Sequence, residues 1–400
     1  MDETAVLIFD IGFVLLLAAV AGWVARRLGL PDVLGYLVVG IAVNPTTPGF
    51  VAEPAEIAVL ADIGVILLLF QVGLEMDLHQ IRRDAGALFW AVPIQVLATV
   101  AVSAAAIALI FGVAPVPAAI LGLAVASSSS AVVAGIAGDG AMVDPSLRSA
   151  LGWSGLQDVV TVVLAALLLS IDGLNDLPLP LALAGLAVYA VAVVVAARVL
   201  PRFLRAFADD DAAFLVVSLG VGVTLAGLGA IVFAVPVALA AFVAGLAISE
   251  GAETTELGRR LLPFRSVFAV FFFVSIGFLF DPSLIVDSAP VVVLLVVLVV
   301  AKSGLIIGLA RVARLPGRPV IVGTALGQMG EFGFVLATAL VGAKAIGDPA
   351  FAAVVTTVAL TIAGSTIALR LLGRRPGPDA ALDGWPGEAG GAGVGVAEES

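Results

Sequence analysis

The sequence predicts an all-α polytopic membrane protein with thirteen transmembrane helices. Of its 400 residues, 62% are hydrophobic and only 12% are charged, whereas a soluble domain is usually about 25% charged. The apolar residues come in blocks of about 20, the length that an α-helix needs to cross the hydrocarbon core of a bilayer. Short polar breaks separate the blocks, so a multi-domain soluble protein is excluded.

The blocks give the limits of the predicted spans. The first block lacks a basic leading segment and a small-residue cleavage site, so we interpret it as a retained span and not as a signal peptide. The segment 376–400 is rich in Gly, Ala and acidic residues, and we expect a disordered cytoplasmic tail after a transmembrane domain at 1–375. The spans lie at about 5–25, 31–44, 57–76, 86–111, 116–137, 147–170, 179–200, 212–229, 233–249, 262–280, 288–310, 318–342 and 350–372.

The basic residues indicate the orientation in the membrane. Under the thirteen-span count they fall on one side, and the opposite loops hold only Lys344. The positive-inside rule makes the basic side cytoplasmic. We therefore expect a protein of the cell membrane with its N-terminus outside the cell and its C-terminus in the cytoplasm. These residues are Arg26, Arg27, Arg82, Arg83, Arg148, Arg198, Arg202, Arg205, Arg259, Arg260, Arg265, Arg311, Arg314, Arg318, Arg370, Arg374 and Arg375.

An internal repeat relates the two halves of the chain. Residues 34–44 (LGYLVVGIAVN) align with 239–249 (LAAFVAGLAIS), which matches Gly40 with Gly245 at an offset of 205. Residues 66–77 (ILLLFQVGLEMD) align with 270–281 (VFFFVSIGFLFD), which matches Gly73 with Gly277 at an offset of 204. A shift of seven spans reverses the direction of the helices. The pattern therefore predicts two inverted five-helix repeats, at about 31–170 and 233–372, as in secondary transporters.

The fourth helix of each repeat is predicted to be broken. Span 5 contains four successive serines, and span 12 contains a cluster of glycines with two polar residues. Irregular backbone is tolerated at membrane depth only where it lines a cavity or is buried in protein. Corresponding interrupted helices in two repeats point to a transport site, although small residues also allow close helix packing. The residues are Ser127, Ser128, Ser129 and Ser130 in span 5, and Gly327, Gln328, Gly330, Glu331 and Gly333 in span 12.

Two charged residues lie deep within spans. Asp158 follows Gln157 near the middle of span 6, where a carboxylate facing lipid costs about 3 kcal/mol on insertion scales. We therefore expect Asp158 to face a water-filled cavity, a counter-charge or a cation, or else a buried hydrogen-bond network. Lys302 in span 11 is too deep to reach the interface, and Asp158 or Glu331 is a candidate anionic partner.

Several function classes have little support. The chain has no cysteine and a single histidine, His79, so thiolate chemistry, an imidazole metal centre and a His-based triad are not expected. Neither a GxSxG elbow nor an HExxH motif occurs, and no basic cluster interleaved with aromatic residues indicates nucleic-acid binding. The string TVGYG, which forms the selectivity filter of potassium channels, does not occur either. An intramembrane enzyme and a gated potassium-efflux channel are kept as alternatives, and no cofactor is expected.

These motifs resemble the monovalent cation:proton antiporter-2 family, which includes Kef-type potassium/proton antiporters and sodium/proton antiporters of the same fold. The resemblance spans about residues 5–372, and its specific parts are GLQDVV (155–160) and GQMGEFGFVLA (327–337). It implies a dimer domain that forms a homodimer, and a mobile core domain in which two broken helices cross. Many Kef-type proteins carry a cytosolic nucleotide-binding domain after the last span. Here about 25 residues follow, so any such control is expected from a separate cytosolic subunit.

The resemblance also assigns roles to the polar residues. Asp158 stands where such proteins bind cation and proton in competition, and Gln157 stands where electrogenic members carry a second Asp. Lys302 falls where several members keep a basic residue. We expect exchange of potassium or sodium for protons across the lipid bilayer, electroneutral because the pair holds one carboxylate. Asp158 and Gln157 are the expected metal ligands, with oxygens of Ser127–Ser130, and Lys302, Gln328 and Glu331 as supporting groups.

Overall fold

The structure is a computed structural model, and every regular element among the residues it describes is a helix. The described residues are 3–44, 63–64, 66–71, 73–74, 85–130, 132–133, 144–169, 171, 179–207, 210–233, 237–248, 267 and 269–373. The helices are α1 Glu3–Arg27, α2 Asp32–Ala42, α3 66–71, α4 Ala85–Phe111, α5 Pro115–Ala126, α6 Pro145–Leu169, α7 Leu179–Arg205, α8 Asp211–Phe233, α9 Val237–Ile248, α10 Ala269–Leu279, α11 Ile285–Val312, α12 Pro319–Ala325, α13 Phe332–Gly342 and α14 Asp348–Gly373.

The all-helical prediction is confirmed, and each predicted span coincides with described helical residues. Among the described residues, six helices are long and apolar enough to cross a membrane on their own. The count of thirteen spans stays a prediction, because parts of spans 3, 5, 9 and 10 lie outside the described residues. The expected tail at 376–400 also lies outside them.

Local sequence explains where several helices begin and end. α1 stops at Gly29, whose φ of 77° is a left-handed conformation that glycine adopts without strain. Leu30 N donates to Ala25 O at 2.8 Å, which closes the last turn. α5 and α12 begin at Pro115 and Pro319, where the missing N–H is not needed for a helical hydrogen bond.

Two reciprocal glycine contacts relate the repeats. A Cβ added at Gly40 of α2 would lie 2.7 Å from the Cα of Gly277 in α10. The equivalent pair is Gly245 of α9 with the segment after α3, where a Cβ on Gly245 would lie 2.9 Å from Leu74 N. The glycines that aligned in the sequence therefore occupy matching contacts, each closing one repeat onto the other. This arrangement is what a duplication related by two-fold symmetry produces.

The helices around the two breaks form one packed group. α4, α5 and α6 of the first repeat contact one another, and α11, α12, α13 and α14 of the second repeat close around them. α7, α8 and α9 pack together beside this group, and α1 packs on α2. The polar side chains of spans 5, 6, 11 and 12 thus meet inside protein and not in lipid.

Candidate functional site

The interruptions of α5 and α12 lie against each other in the buried interior. α5 ends at Ala126, the backbone is extended at Ser127 (φ −71°, ψ 153°), and helix resumes at residue 130. α12 ends at Ala325, and α13 begins only at Phe332. The predicted breaks in spans 5 and 12 are therefore confirmed.

Hydrogen bonds and a backbone contact hold the two breaks together. Ser128 Oγ donates to Leu326 O at 2.9 Å, and Gln328 Nε2 donates to Ser129 O at 3.1 Å. A Cβ at Gly330 would lie 2.7 Å from the carbonyl carbon of Ser128. Since no side chain fits there, the glycines of span 12 allow the two chains to cross in direct contact.

Lys302 of α11 lies at this crossing with 1% of its surface exposed. Its Nζ donates to Ser127 O at 2.9 Å, to Gln328 O at 2.7 Å and to Ser128 Oγ at 3.2 Å. Both carbonyls follow the C-terminal end of a broken helix, where the helix dipole places partial negative charge. Among the described residues Lys302 forms no ion pair with a carboxylate. Its ammonium thus neutralises two helix ends, where the sequence had suggested Asp158 or Glu331 as partner.

A network of amides surrounds Gln157 of α6. Its Nε2 donates to Ala126 O at 2.7 Å and to Gln95 Oε1 at 2.6 Å. Gln95 of α4 also accepts from Trp153 Nε1 at 3.3 Å and donates to Thr99 Oγ1 at 3.3 Å. Both N–H groups of Gln157 are therefore used by the protein, and one of them satisfies the last carbonyl of α5.

Asp158 is buried beside this network, with 2% of its surface exposed. Its Oδ1 is buried and has no hydrogen-bond partner among the described residues. Glu331, the last residue of the break before α13, lies at the same crossing. A buried carboxylate with an unsatisfied oxygen needs a proton or a cation to neutralise it.

The hydroxyls of Ser127 and Ser129 form hydrogen bonds with backbone groups on either side of the break. Ser127 Oγ donates to Ala124 O at 2.9 Å, and Ser129 Oγ accepts from Val132 N at 3.2 Å. Ser130 is partly buried where the helix resumes. The structure therefore places the four serines at the crossing, with no described hydrogen bond between any of them and the Asp158 carboxylate.

A cavity of about 540 Å³ reaches the crossing from one side. Ser129 and Glu331 line it at the breaks, and Arg26, Asp32 and Arg370 line it farther out. Arg26 and Asp32 form an ion pair there. Because the arginines belong to the side predicted to be cytoplasmic, the cavity is a candidate path from that side to Glu331.

The sequence reasoning missed four buried polar groups at the site. Gln95, Trp153 and Ser154 are hydrogen-bonded to the network or to the break, and Thr161 lies one turn beyond Gln157 on α6. Gln95 had a readable signal, a lone amide within the apolar segment AVPIQVLATV. The others had none, because Ser, Thr and Trp are common within membrane helices.

Known proteins are similar to this chain along most of its length. It is 31% identical to the putative cation/proton antiporter YbaL of Escherichia coli (strain K12) over 346 residues, 81% of this chain and 61% of that protein. It is 30% identical to the glutathione-regulated potassium-efflux system protein KefC of Enterobacter sp. (strain 638), over 88% of this chain and 58% of that protein. The chain thus spans about 60% of the length of the curated relatives that it matches.

Solved structures share the fold. The sodium proton antiporter MjNhaP1 from Methanocaldococcus jannaschii at pH 8 superposes with a TM-score of 0.72, at 16% identity, over 93% of this chain and 99% of that chain. A structure of the same antiporter from an electron-microscopy map gives a TM-score of 0.61 at 13% identity, over 94% of this chain and 99% of that one.

The family assignment rests on the extent of the match. The two relatives are named as a putative cation/proton antiporter and a potassium-efflux system protein, which are transporters and not enzymes. This confirms the expectation of a transporter and the resemblance to the cation:proton antiporter-2 family. Residues 15–373 match the family described as sodium/hydrogen exchanger, transmembrane. Because this match covers most of the chain, the protein belongs to the sodium/hydrogen exchanger family.

Proposed function

We propose that the protein exchanges a monovalent cation for protons by competition at Asp158. The observation that carries the proposal is the buried Asp158 carboxylate, whose Oδ1 has no hydrogen-bond partner in the described part of the chain. It lies beside two broken helices that cross, in a chain that belongs to an exchanger family.

Competition follows from the electrostatics of burial. An ionised carboxylate is strongly disfavoured away from water, and either a proton or a bound cation removes its net charge. The neutral site is then able to pass between the two sides of the membrane, whereas the empty, charged site passes poorly. Exchange is driven by whichever of the two gradients is larger.

Oxygen ligands near Asp158 suit a hard monovalent cation. The Oε1 of Gln157 lacks a hydrogen-bond partner within the described residues, while its Nε2 donates to Ala126 O and to Gln95 Oε1. Asp158 and Gln157 are therefore the proposed metal ligands. The hydroxyls of Ser127–Ser130 lie nearby on the break, and Lys302, Gln328 and Glu331 hold or line the crossing.

The proposed exchange is electroneutral. Gln157 is uncharged, so the pair holds one carboxylate and binds one cation or one proton. Lys302 donates to backbone carbonyls, and we assign it no transported proton of its own. Potassium and sodium both remain candidates for the transported ion, since the names of the relatives point to each.

The test is proton flux in proteoliposomes, with potassium, sodium and lithium added in turn. Asp158→Asn should abolish cation-driven proton movement, and Asp158→Glu should retain part of it. Asp287→Asn, at an exposed position of α11, is the matched control and should leave the flux unchanged. Exchange at the unsubstituted rate in Asp158→Asn would place the site elsewhere, and proton-independent cation flux would support the channel alternative.

Charge coupling has its own test. Gln157→Asp adds a second carboxylate to the pair, so it should alter cation affinity or make the exchange move net charge. A voltage-sensitive dye in the same vesicles measures this. Net charge movement by the unsubstituted protein would contradict the electroneutral proposal.

The setting of the transporter is also part of the proposal. We place it in the cell membrane with its N-terminus outside and its C-terminus in the cytoplasm, as the arginine distribution favours. We propose a homodimer formed by helices outside the Asp158 group, and regulation by a separate cytosolic subunit. A monomer by light scattering, both in mild detergent and in nanodiscs, would contradict the dimer. If the chain is purified from its native membrane and no cytosolic protein accompanies it, the proposal of a regulatory subunit is contradicted.

A further inference from the structure

The turn of α6 around Asp158 holds three buried oxygens that no described residue satisfies. They are Gln157 Oε1, Asp158 Oδ1 and Thr161 Oγ1. Thr161 is four residues from Gln157 and three from Asp158, so all three side chains lie on neighbouring positions of one helix face. A neutral hydroxyl in that position adds a ligand oxygen without adding charge.

The state of the Thr161 hydroxyl is unusual within this protein. Buried hydroxyls on helices commonly bond to a carbonyl of the preceding turn. Thr357 Oγ1 donates in this way to Ala353 O at 2.7 Å, and Thr366 Oγ1 donates to Ile362 O at 2.7 Å. Thr161 is equally buried, yet it makes no such bond.

Other hydroxyls without a described partner do not share its surroundings. They belong to Ser103 of α4, Ser218 of α8 and Thr356 of α14. None of these lies on the turn that carries the carboxylate. In the part of the chain that the structure describes, the coincidence of three unsatisfied oxygens with one buried charge is therefore found on α6 alone.

Gln95 determines which end of the Gln157 amide is available. Gln95 Oε1 accepts from Gln157 Nε2 at 2.6 Å, and Gln95 is fixed in turn by Trp153 and Thr99. With its nitrogen held between Gln95 and Ala126 O, the Gln157 side chain is left with only its oxygen to offer to a cation.

We propose that Thr161 is a cation ligand together with Asp158 and Gln157, and that Gln95 is the positioning residue that presents the Gln157 oxygen. The ligand class is a desolvated monovalent cation bound by one carboxylate and two neutral oxygens. This inference rests on the proposed function and deepens it by naming the ligand set.

The experiment measures proton flux against cation concentration in proteoliposomes, with the ion that the unsubstituted protein transports. Thr161→Val keeps the shape of the side chain and removes its oxygen, so it should raise the KM for the cation roughly fivefold, as expected for one lost neutral ligand. Thr161→Ser keeps the oxygen and should retain the original KM. The matched control is Thr357→Val, which removes an equally buried hydroxyl from α14 and should leave the KM unchanged.

Gln95 has a separate readout. As a single substitution, Gln95→Leu should raise the KM for the cation. Added to Gln157→Leu, it should raise the KM no further, because the oxygen that Gln95 positions is already gone. A KM in the double variant equal to the product of the two single fold-increases would show that Gln95 acts through general packing and would overturn its positioning role.

Several outcomes overturn the role of Thr161. These are an unchanged KM in Thr161→Val, a KM in Thr161→Ser as high as in Thr161→Val, or failure of both Thr161→Val and Thr161→Ala to elute as folded protein. Asp158→Asn, measured in parallel, keeps the two ideas apart. If it stops exchange while Thr161→Val behaves as the control does, only the ligand inference falls; if it exchanges normally, the proposed function falls.

Discussion

The two repeats build their breaks in the same way and stabilise them with different chemistry. In the first repeat the last carbonyl of α5, Ala126 O, accepts from two neutral amides, Gln95 and Gln157. In the second repeat Gln328 O accepts from the ammonium of Lys302, which α11, the counterpart of α4, supplies. The amides therefore bond only to the first break, whereas the ammonium of Lys302 bonds to both, since it also donates to Ser127 O.

The flanking helices differ in the same sense. α6 carries Asp158 in its buried middle, whereas the only acidic residue of α14, its counterpart, is Asp348 in the first turn. The buried polar groups of α14 are hydroxyls, and one of them, Thr361 Oγ1, accepts from Met329 N at 3.1 Å. The comparison indicates a division of labour, in which the second repeat supplies the charge at the crossing and the first carries Asp158, the proposed ligand.

The largest expected effect comes from removing the charge that the second repeat supplies to the crossing. Lys302→Met leaves two buried carbonyls without their donor, and each costs about 1–3 kcal/mol. Thermal unfolding in detergent should show a loss of roughly 2–6 kcal/mol, and Lys302→Arg should lose less because the charge remains.

The matched change in the first repeat is Gln95→Leu. It should be milder, because Ala126 O keeps its bond from Gln157. If Lys302→Met unfolds like the unsubstituted protein and loses only exchange, Lys302 carries protons instead of holding the crossing, and the division of labour fails.

The reciprocal glycine contacts should respond alike in the two repeats. Gly40→Ala and Gly245→Ala each push a Cβ into the backbone of a neighbouring helix, and overpacking of this kind costs about 1–3 kcal/mol. Equal losses of unfolding free energy in the two variants would support the two-fold relation between the repeats, and a loss in only one variant would contradict it. Gly304→Ala in α11, where no atom lies within 4 Å of the new Cβ, is the control and should not destabilise.

The smallest effect concerns the bond between the breaks. Ser128→Ala removes the donor to Leu326 O and an acceptor for Lys302, so the protein should lose about 1–2 kcal/mol. Ser103→Ala deletes a hydroxyl that is equally buried but has no described hydrogen-bond partner, and the same unfolding assay should show little change. Equal effects of the two substitutions would mean that the bond across the breaks contributes nothing.

The sequence predicted the helices and the breaks because both are local properties. A span is recognised from about 20 successive apolar residues. Four serines, or glycines at Gly327, Gly330 and Gly333, weaken a helix wherever they stand. The repeat was also visible, because duplicated glycines preserve their spacing. The position of Asp158 stood out for the same local reason, a carboxylate within an apolar span.

Partnerships between side chains were decided only by the tertiary structure. Lys302 was expected to need an anion, and charge alone suggested Asp158 or Glu331. Its described partners are instead carbonyls of Ser127 and Gln328, 175 and 26 residues away in sequence. Backbone carbonyls become anionic partners only where broken helices end together, which no one-dimensional pattern encodes.

The sequence by itself thus predicted which segments are apolar enough to cross a membrane, where two helices break, and which carboxylate is out of place in lipid. Only the tertiary structure decided which oxygens lack a partner, since that depends on every donor the fold brings near. Gln95 and Thr161 show the difference. Both are ordinary residues in their own spans. The packing of α4 against α6 brings Gln95 into hydrogen-bond contact with Gln157, and Thr161 is distinguished by a hydroxyl without a described hydrogen bond.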